Sequence, residues 1–174
     1  AEMLDHSSEK IAQPGVVDKL IAVLENPRTP MEKLIVSMYP YTAEEFYFYK
    51  ALQALHADQL IEAEALMKKA GKQGMTELYT NPFNDYILDP LDAHTRKHIK
   101  EAKVKYTPIT LIQKMREGEA KIARGEEVYN NSLLVGNAFY NMSFYGTSDI
   151  WRVPLLNASI FELVPCYAQE MVMT

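Results

Sequence analysis

The chain has 174 residues, 48% of them apolar and 24% charged, which suffices for one continuous core or a short stack of helical hairpins. Its net charge is -5 and its lysines and arginines are scattered, so no basic footprint for a nucleic-acid backbone exists. No window approaches the roughly 18 apolar residues of a membrane-spanning helix, and the single cysteine, Cys166, excludes an internal disulfide and a cysteine zinc cluster.

The first stretch, residues 2 to 13, is polar and lacks the hydrophobic region of a secretion signal. Val16, Val17, Leu20, Ile21, Val23 and Leu24 then fall on helical spacing, and Asn26-Pro27 supplies a stop. Thr29-Pro30-Met31-Glu32 combines an N-cap threonine, a proline at the first helical position and a glutamate that can cap in return. Leu34, Ile35 and Met38 continue an apolar face along that helix. Thr42-Ala43-Glu44-Glu45 repeats the capping box and opens a helix bearing Phe46-Tyr47-Phe48-Tyr49. Most of these rings are expected in the core, but one apolar stripe cannot bury four consecutive aromatics, so some tyrosines are expected in a groove or on a contact surface.

After Asp58, Leu60, Ala63, Met67 and Ala70 form a stripe, and Lys68, Lys69 and Gly71 make a helix end. From 71 to 90 the pattern fails, and Asn81-Pro82 and Asn84-Asp85 predict a loop. Asp89-Pro90-Leu91-Asp92 caps a polar helix expected to run to about Val104. The run Tyr106 to Ile112 is an ambiguous strand-like stretch, overlapping a helix expected from Pro108 to Arg124 and closed by Gly125. A further helix is expected from Glu127 to Tyr145, stopped by Gly146, and another from Ala158 to Met173, interrupted by Pro165. That last pattern ends without a cap, so the chain is expected to be a fragment of a longer protein. The fold class expected is all-α: antiparallel helical hairpins stacked in one domain over 1–174, with an irregular region around 71–90.

The order Tyr47, Ala51, Ala63, Met67, Ala70 resembles a tetratricopeptide repeat, with small residues where two helices approach and large ones between them. Lys50 and Ala54 depart from that pattern. Val135-Gly136-Asn137-Ala138-Phe139-Tyr140-Asn141 is similar to the first helix of a second repeat, with Gly136 as a packing residue. Together with Asn81-Pro82-Phe83, Tyr106-Thr107 and the run 136 to 146, the chain resembles large uncharacterised tetratricopeptide-like proteins of the Bacteroidetes. The resemblance covers about 42–150. It implies a bacterial origin, a longer parent protein and no specific activity. It leaves the compartment open, with the envelope or periplasm following only if the parent is exported.

Candidate sites are few. His94 and His98 stand four apart on the expected polar helix and, with Asp89 or Asp92, could hold a metal; Arg96, Lys97, Lys100 and Glu101 instead describe a solvated face. Cys166 has no neighbouring histidine, and the serines at 132, 143, 148 and 159 lack a glycine-flanked elbow. Glu62, Glu64, Glu117, Glu119 and Glu126 read as solvated surface. No catalytic residue and no cofactor are expected. Asn137, Tyr140, Asn141 and Tyr145 are the candidates for a groove that binds a protein, a peptide or the rest of a parent chain. Two alternatives stand beside this reading: a metal-dependent or enzymatic role centred on 89–98, and a purely structural spacer.

Overall fold

Capping chemistry and helical apolar stripes dictate a run of short helices, and the computed structural model describes residues 15–84, 104–143, 146, 148 and 150. Among the described residues there are seven helices and no strand, so the fold is all-α. The first, α1 (Val16–Glu25), buries Val17 and Ile21 and ends at Asn26, before Pro27. Thr29 starts α2 (Pro30–Met38) with a complete capping box: its hydroxyl accepts the Glu32 N–H at 3.1 Å, and the Glu32 carboxylate accepts the Thr29 N–H at 3.0 Å. At α3 (Ala43–His56) the Glu45 carboxylate accepts both the N–H of Thr42, at 2.6 Å, and its hydroxyl, at 3.1 Å.

The central helix is α3, packed against α1 on one side and α4 (Leu60–Lys69) on the other. That position puts most of its aromatics in the core, as expected. Phe46, Phe48 and Tyr49 are all buried because α3 has two covered faces, and only Tyr47 is partly open. The Tyr47 hydroxyl donates to Glu25 Oε1 at 2.9 Å, and its ring lies 5.0 Å under the Lys69 ammonium. Lys50, which departs from the repeat pattern, pairs with Asp18 and ties α3 to α1.

The expected stripe of α4 is fully realised: Leu60, Ala63, Met67 and Ala70 are buried, and Ala51 and Ala63 have no exposed surface, which lets α3 and α4 approach. Gly71 has φ 55, and a side chain there would meet the Glu44 carboxylate. The irregular region begins with a helical turn, α5 (Lys72–Met75), that periodicity could not reveal in four residues.

Across the 85–103 stretch, the Leu78 N–H donates to the Tyr106 carbonyl at 2.7 Å, and the chain turns at once into α6 (Pro108–Ala123). Thr107 and Thr110 cap it reciprocally, so the strand-like run is a helix start. Helix α6 packs on α4 and on α7 (Val128–Met142). The tight contact of that last pair is Gly118, where a Cβ would come within 3.0 Å of Val135 Cγ2. Gly136 does not have the packing role expected of it: a Cβ there would meet nothing within 4 Å, because it lies on the face of α7 turned away from α6.

Glu64 also departs from expectation. It is 6% exposed and joins α4 to α6, accepting Gln113 Nε2 at 3.0 Å and pairing with Lys68 Nζ at 2.7 Å and with Arg116. These partners, Lys68 foremost, then Gln113 and Arg116, pull its carboxyl down to about 2 against an opposing desolvation cost.

Candidate functional site

The site is built from a buried asparagine outward. Asn141, on the last turn of α7, has no exposed surface, and its side-chain amide donates to the carbonyls of Pro82 at 3.1 Å and Asn84 at 2.8 Å. A buried amide without partners costs about 1–3 kcal/mol, so these bonds fix both the side chain and the 81–84 turn it holds. The turn is also ordered from within. Asn81 Oδ1 accepts the Phe83 N–H at 2.9 Å, Asn84 Nδ2 donates to the Asn81 carbonyl at 2.9 Å, and the Phe83 ring stands edge-on to Tyr106 at 4.9 Å.

The result is a shallow, open cleft of about 260 Å3 between the turn and α7, lined by Phe83, Asn84, Asn130, Leu133, Leu134 and Asn137. The α7 contributors fall at 130, 133, 134 and 137, which is one helical face, and Asn141 continues it into the interior. Among the described residues, no hydrogen bond involves the side-chain amides of Asn130 and Asn137. Beside the cleft, Tyr129, Leu133, Gly136 and Tyr140 form an adjoining stripe in which Tyr129 is 78% and Tyr140 36% exposed. Helix α7 carries no charged residue over its fifteen positions. None of the cleft residues titrates.

Of the residues singled out from the sequence, Asn137 lines the cleft and Tyr140 borders it. Asn141 does not face a groove, because it is consumed in holding the 81–84 turn. Tyr145 lies outside the described residues, as do Asp89, Asp92, His94, His98, the expected polar helix 90–104 and Cys166. Among the described residues no three metal-ligating side chains converge. Phe83, Asn84, Asn130, Leu133 and Leu134 were missed; the Asn81-Pro82-Phe83-Asn84 turn was visible as punctuation, but its apposition to α7 depends on a contact 59 residues away. No helix of the described residues is long and apolar enough to cross a membrane. Comparison with known protein families, with curated proteins and with solved structures finds no match for the chain.

Proposed function

We propose that the chain is a protein-interaction module, a short tetratricopeptide-like array that holds an extended, uncharged peptide segment along the outer face of α7. The observation that carries this reading is the cleft itself: amides of Asn130 and Asn137 with no partner among the described residues flank Leu133 and Leu134, opposite Phe83. A primary amide presents a donor and an acceptor side by side, the complement of a peptide unit in an extended chain. The leucines and Phe83 supply an apolar floor for one side chain of that segment. Interfaces are depleted of charge at their centres and enriched in tyrosine, which is the composition of α7 between Val128 and Met142. The cleft holds no nucleophile, acid or base, so its chemistry is recognition.

The test is selection of a random peptide library on the immobilised chain, followed by affinity measurement against a double variant, Asn130→Ala with Asn137→Ala. The expected winners are neutral, with one large apolar residue, and bind the variant at least about tenfold more weakly, as loss of two or more hydrogen bonds requires. Because no ionisable group lines the cleft, that affinity is expected to change less than about twofold between 50 and 500 mM salt. Peptides that bind both proteins equally, or a selection dominated by charged sequences with steep salt dependence, would refute the assignment.

A further inference from the structure

The chemistry that fits the α7 cleft occurs within the chain itself. Outside the described residues the longest uncharged run is Val153-Pro154-Leu155-Leu156-Asn157-Ala158-Ser159-Ile160-Phe161, whereas 1–14 and 85–103 are interrupted by charge at short intervals. Proline fixes its own backbone and turns the residue before it away from the helical region, so the run opens as extended chain. Asn157 then stands at the cap position of the helix expected from Ala158. The extended part is neutral and carries branched apolar side chains, the two properties that the cleft selects.

We infer that residues 153–157 occupy the α7 cleft of their own chain, an inference that rests on the peptide-binding reading of that cleft and names its resident ligand. The last described residues deliver the segment there. After α7 the backbone reverses: the Gly146 N–H donates to the Ser143 carbonyl at 3.0 Å, and the Ser148 N–H donates back to the Asn141 carbonyl at 2.9 Å, one turn of α7 from Asn137. Ile150 follows with no exposed surface and pins the chain just before the segment. From Asn141 to Leu134, at the middle of the cleft, is seven helical residues, about 10 Å. The five residues from Ile150 to Leu155 reach up to about 17 Å when extended.

Spacing fixes the register. Asn130 and Asn137 are also seven residues apart on α7, about 10 Å, and peptide units three residues apart in an extended chain repeat at about the same distance. Running antiparallel to α7, the segment sets its 153–154 peptide unit against Asn137, the Leu155 side chain on Phe83, Leu133 and Leu134, and its 156–157 unit against Asn130. Pro154 has no N–H, so at the first unit the Asn137 amide donates to the Val153 carbonyl. A tether this short gives an effective concentration on the order of 1 mM, at which a segment of ~100 µM intrinsic affinity fills the cleft and weakens a competing peptide about tenfold. The cleft is therefore self-occupied and opens to a partner by exchange.

The test is binding of a fluorescent synthetic peptide of residues 153–161 to the full chain, native and Leu155→Asp. With the helical circular dichroism unchanged, the Leu155→Asp chain is expected to bind this probe at least about tenfold more tightly than the native chain. Leu163→Asp, beyond the uncharged run, is expected to leave the affinity at the native value, and adding Asn130→Ala with Asn137→Ala to Leu155→Asp is expected to remove the gain. Sedimentation equilibrium of the native chain up to about 200 µM is expected to show a single chain, since at such concentrations a tether of millimolar effective concentration still favours the segment's own cleft. Equal affinity of the native and Leu155→Asp chains, a gain produced also by Leu163→Asp, a gain that survives the asparagine substitutions, or a dimer dissolved by Leu155→Asp, which would put the segment in the cleft of a second copy, would each overturn the inference. Peptides selected from the random library separate its failure from that of the reading beneath it. If they bind the native and Leu155→Asp chains equally and through Asn130 and Asn137, self-occupancy is wrong and peptide binding stands; if their binding ignores the two asparagines as well, both are wrong.

Discussion

Glu64 shows how a single side chain couples two helices and makes the fold sensitive to acid. Its carboxyl titrates near 4.5 when free and is held at about 2 in the folded chain, chiefly by Lys68 and then by Gln113 and Arg116. A lowered folded value means that the contribution is complete above the unfolded value and is lost as pH falls from about 4.5 toward 2. Lys68 and Arg116 are 59% and 42% exposed, so solvent screens much of the attraction. Glu64→Gln is expected to cost on the order of 1–2 kcal/mol at pH 7 and much less near pH 2, as read by urea unfolding at the two pH values. Two glycines of neighbouring helices give opposite expectations. Gly136→Ala meets open space in a helix and should stabilise by up to about 1 kcal/mol, whereas Gly118→Ala crowds Val135 and should destabilise or give no gain. Thermal unfolding of the pair checks the sign. An outward-facing glycine that the fold does not need is also a place where a partner's backbone can come close, so the stabilised Gly136→Ala chain is expected to bind selected peptides less well.

Helices differ in how much of the molecule depends on them. Thr29 and Thr107 start α2 and α6 with similar reciprocal caps, each kind worth typically about 1 kcal/mol. Thr107→Ala should lower global stability by about that amount, because α6 buries Leu111, Ile112 and Met115 in the core. Thr29→Ala should leave the global unfolding midpoint nearly unchanged and accelerate amide exchange within α2, because nothing on α2 is buried. At this scale the sequence was most readable. Caps at Thr29 and Thr42, the proline at 108 and the Leu60-Ala63-Met67-Ala70 stripe are local chemistry, and the helices formed where that chemistry placed them. What could not be read is which neighbour each face meets. The apolar face of α2 was written in the same pattern as that of α4, yet only one of them is covered. Gly136 and Gly118 are both helical glycines, and only the phase of α6 against α7 distinguishes the packing one. Helix α7 also stops at Met142, three residues before the expected Tyr145, because Ser143 turns extended and a side chain at Gly146 would strike the Asn141 carbonyl.

Over the whole molecule, the arrangement joins α1, α3, α4, α6 and α7 by successive packing and places the 81–84 turn against the last of them. The cleft was only partly legible for that reason. Asn137 and Tyr140 could be suspected from an uncharged, tyrosine-bearing helix, but the opposite wall comes from residues almost sixty positions earlier, joined through a buried asparagine that sequence alone assigned to the groove. The most direct measurement is a two-dimensional amide NMR titration of the 15N-labelled chain with a neutral peptide selected on it, following the side-chain amides of the asparagines. The account predicts saturable shifts of Asn130 and Asn137 with those of the 81–84 turn, and none for the α2 backbone. Shifts confined to α2, or a bound peptide that leaves Asn130 and Asn137 unmoved, would contradict it.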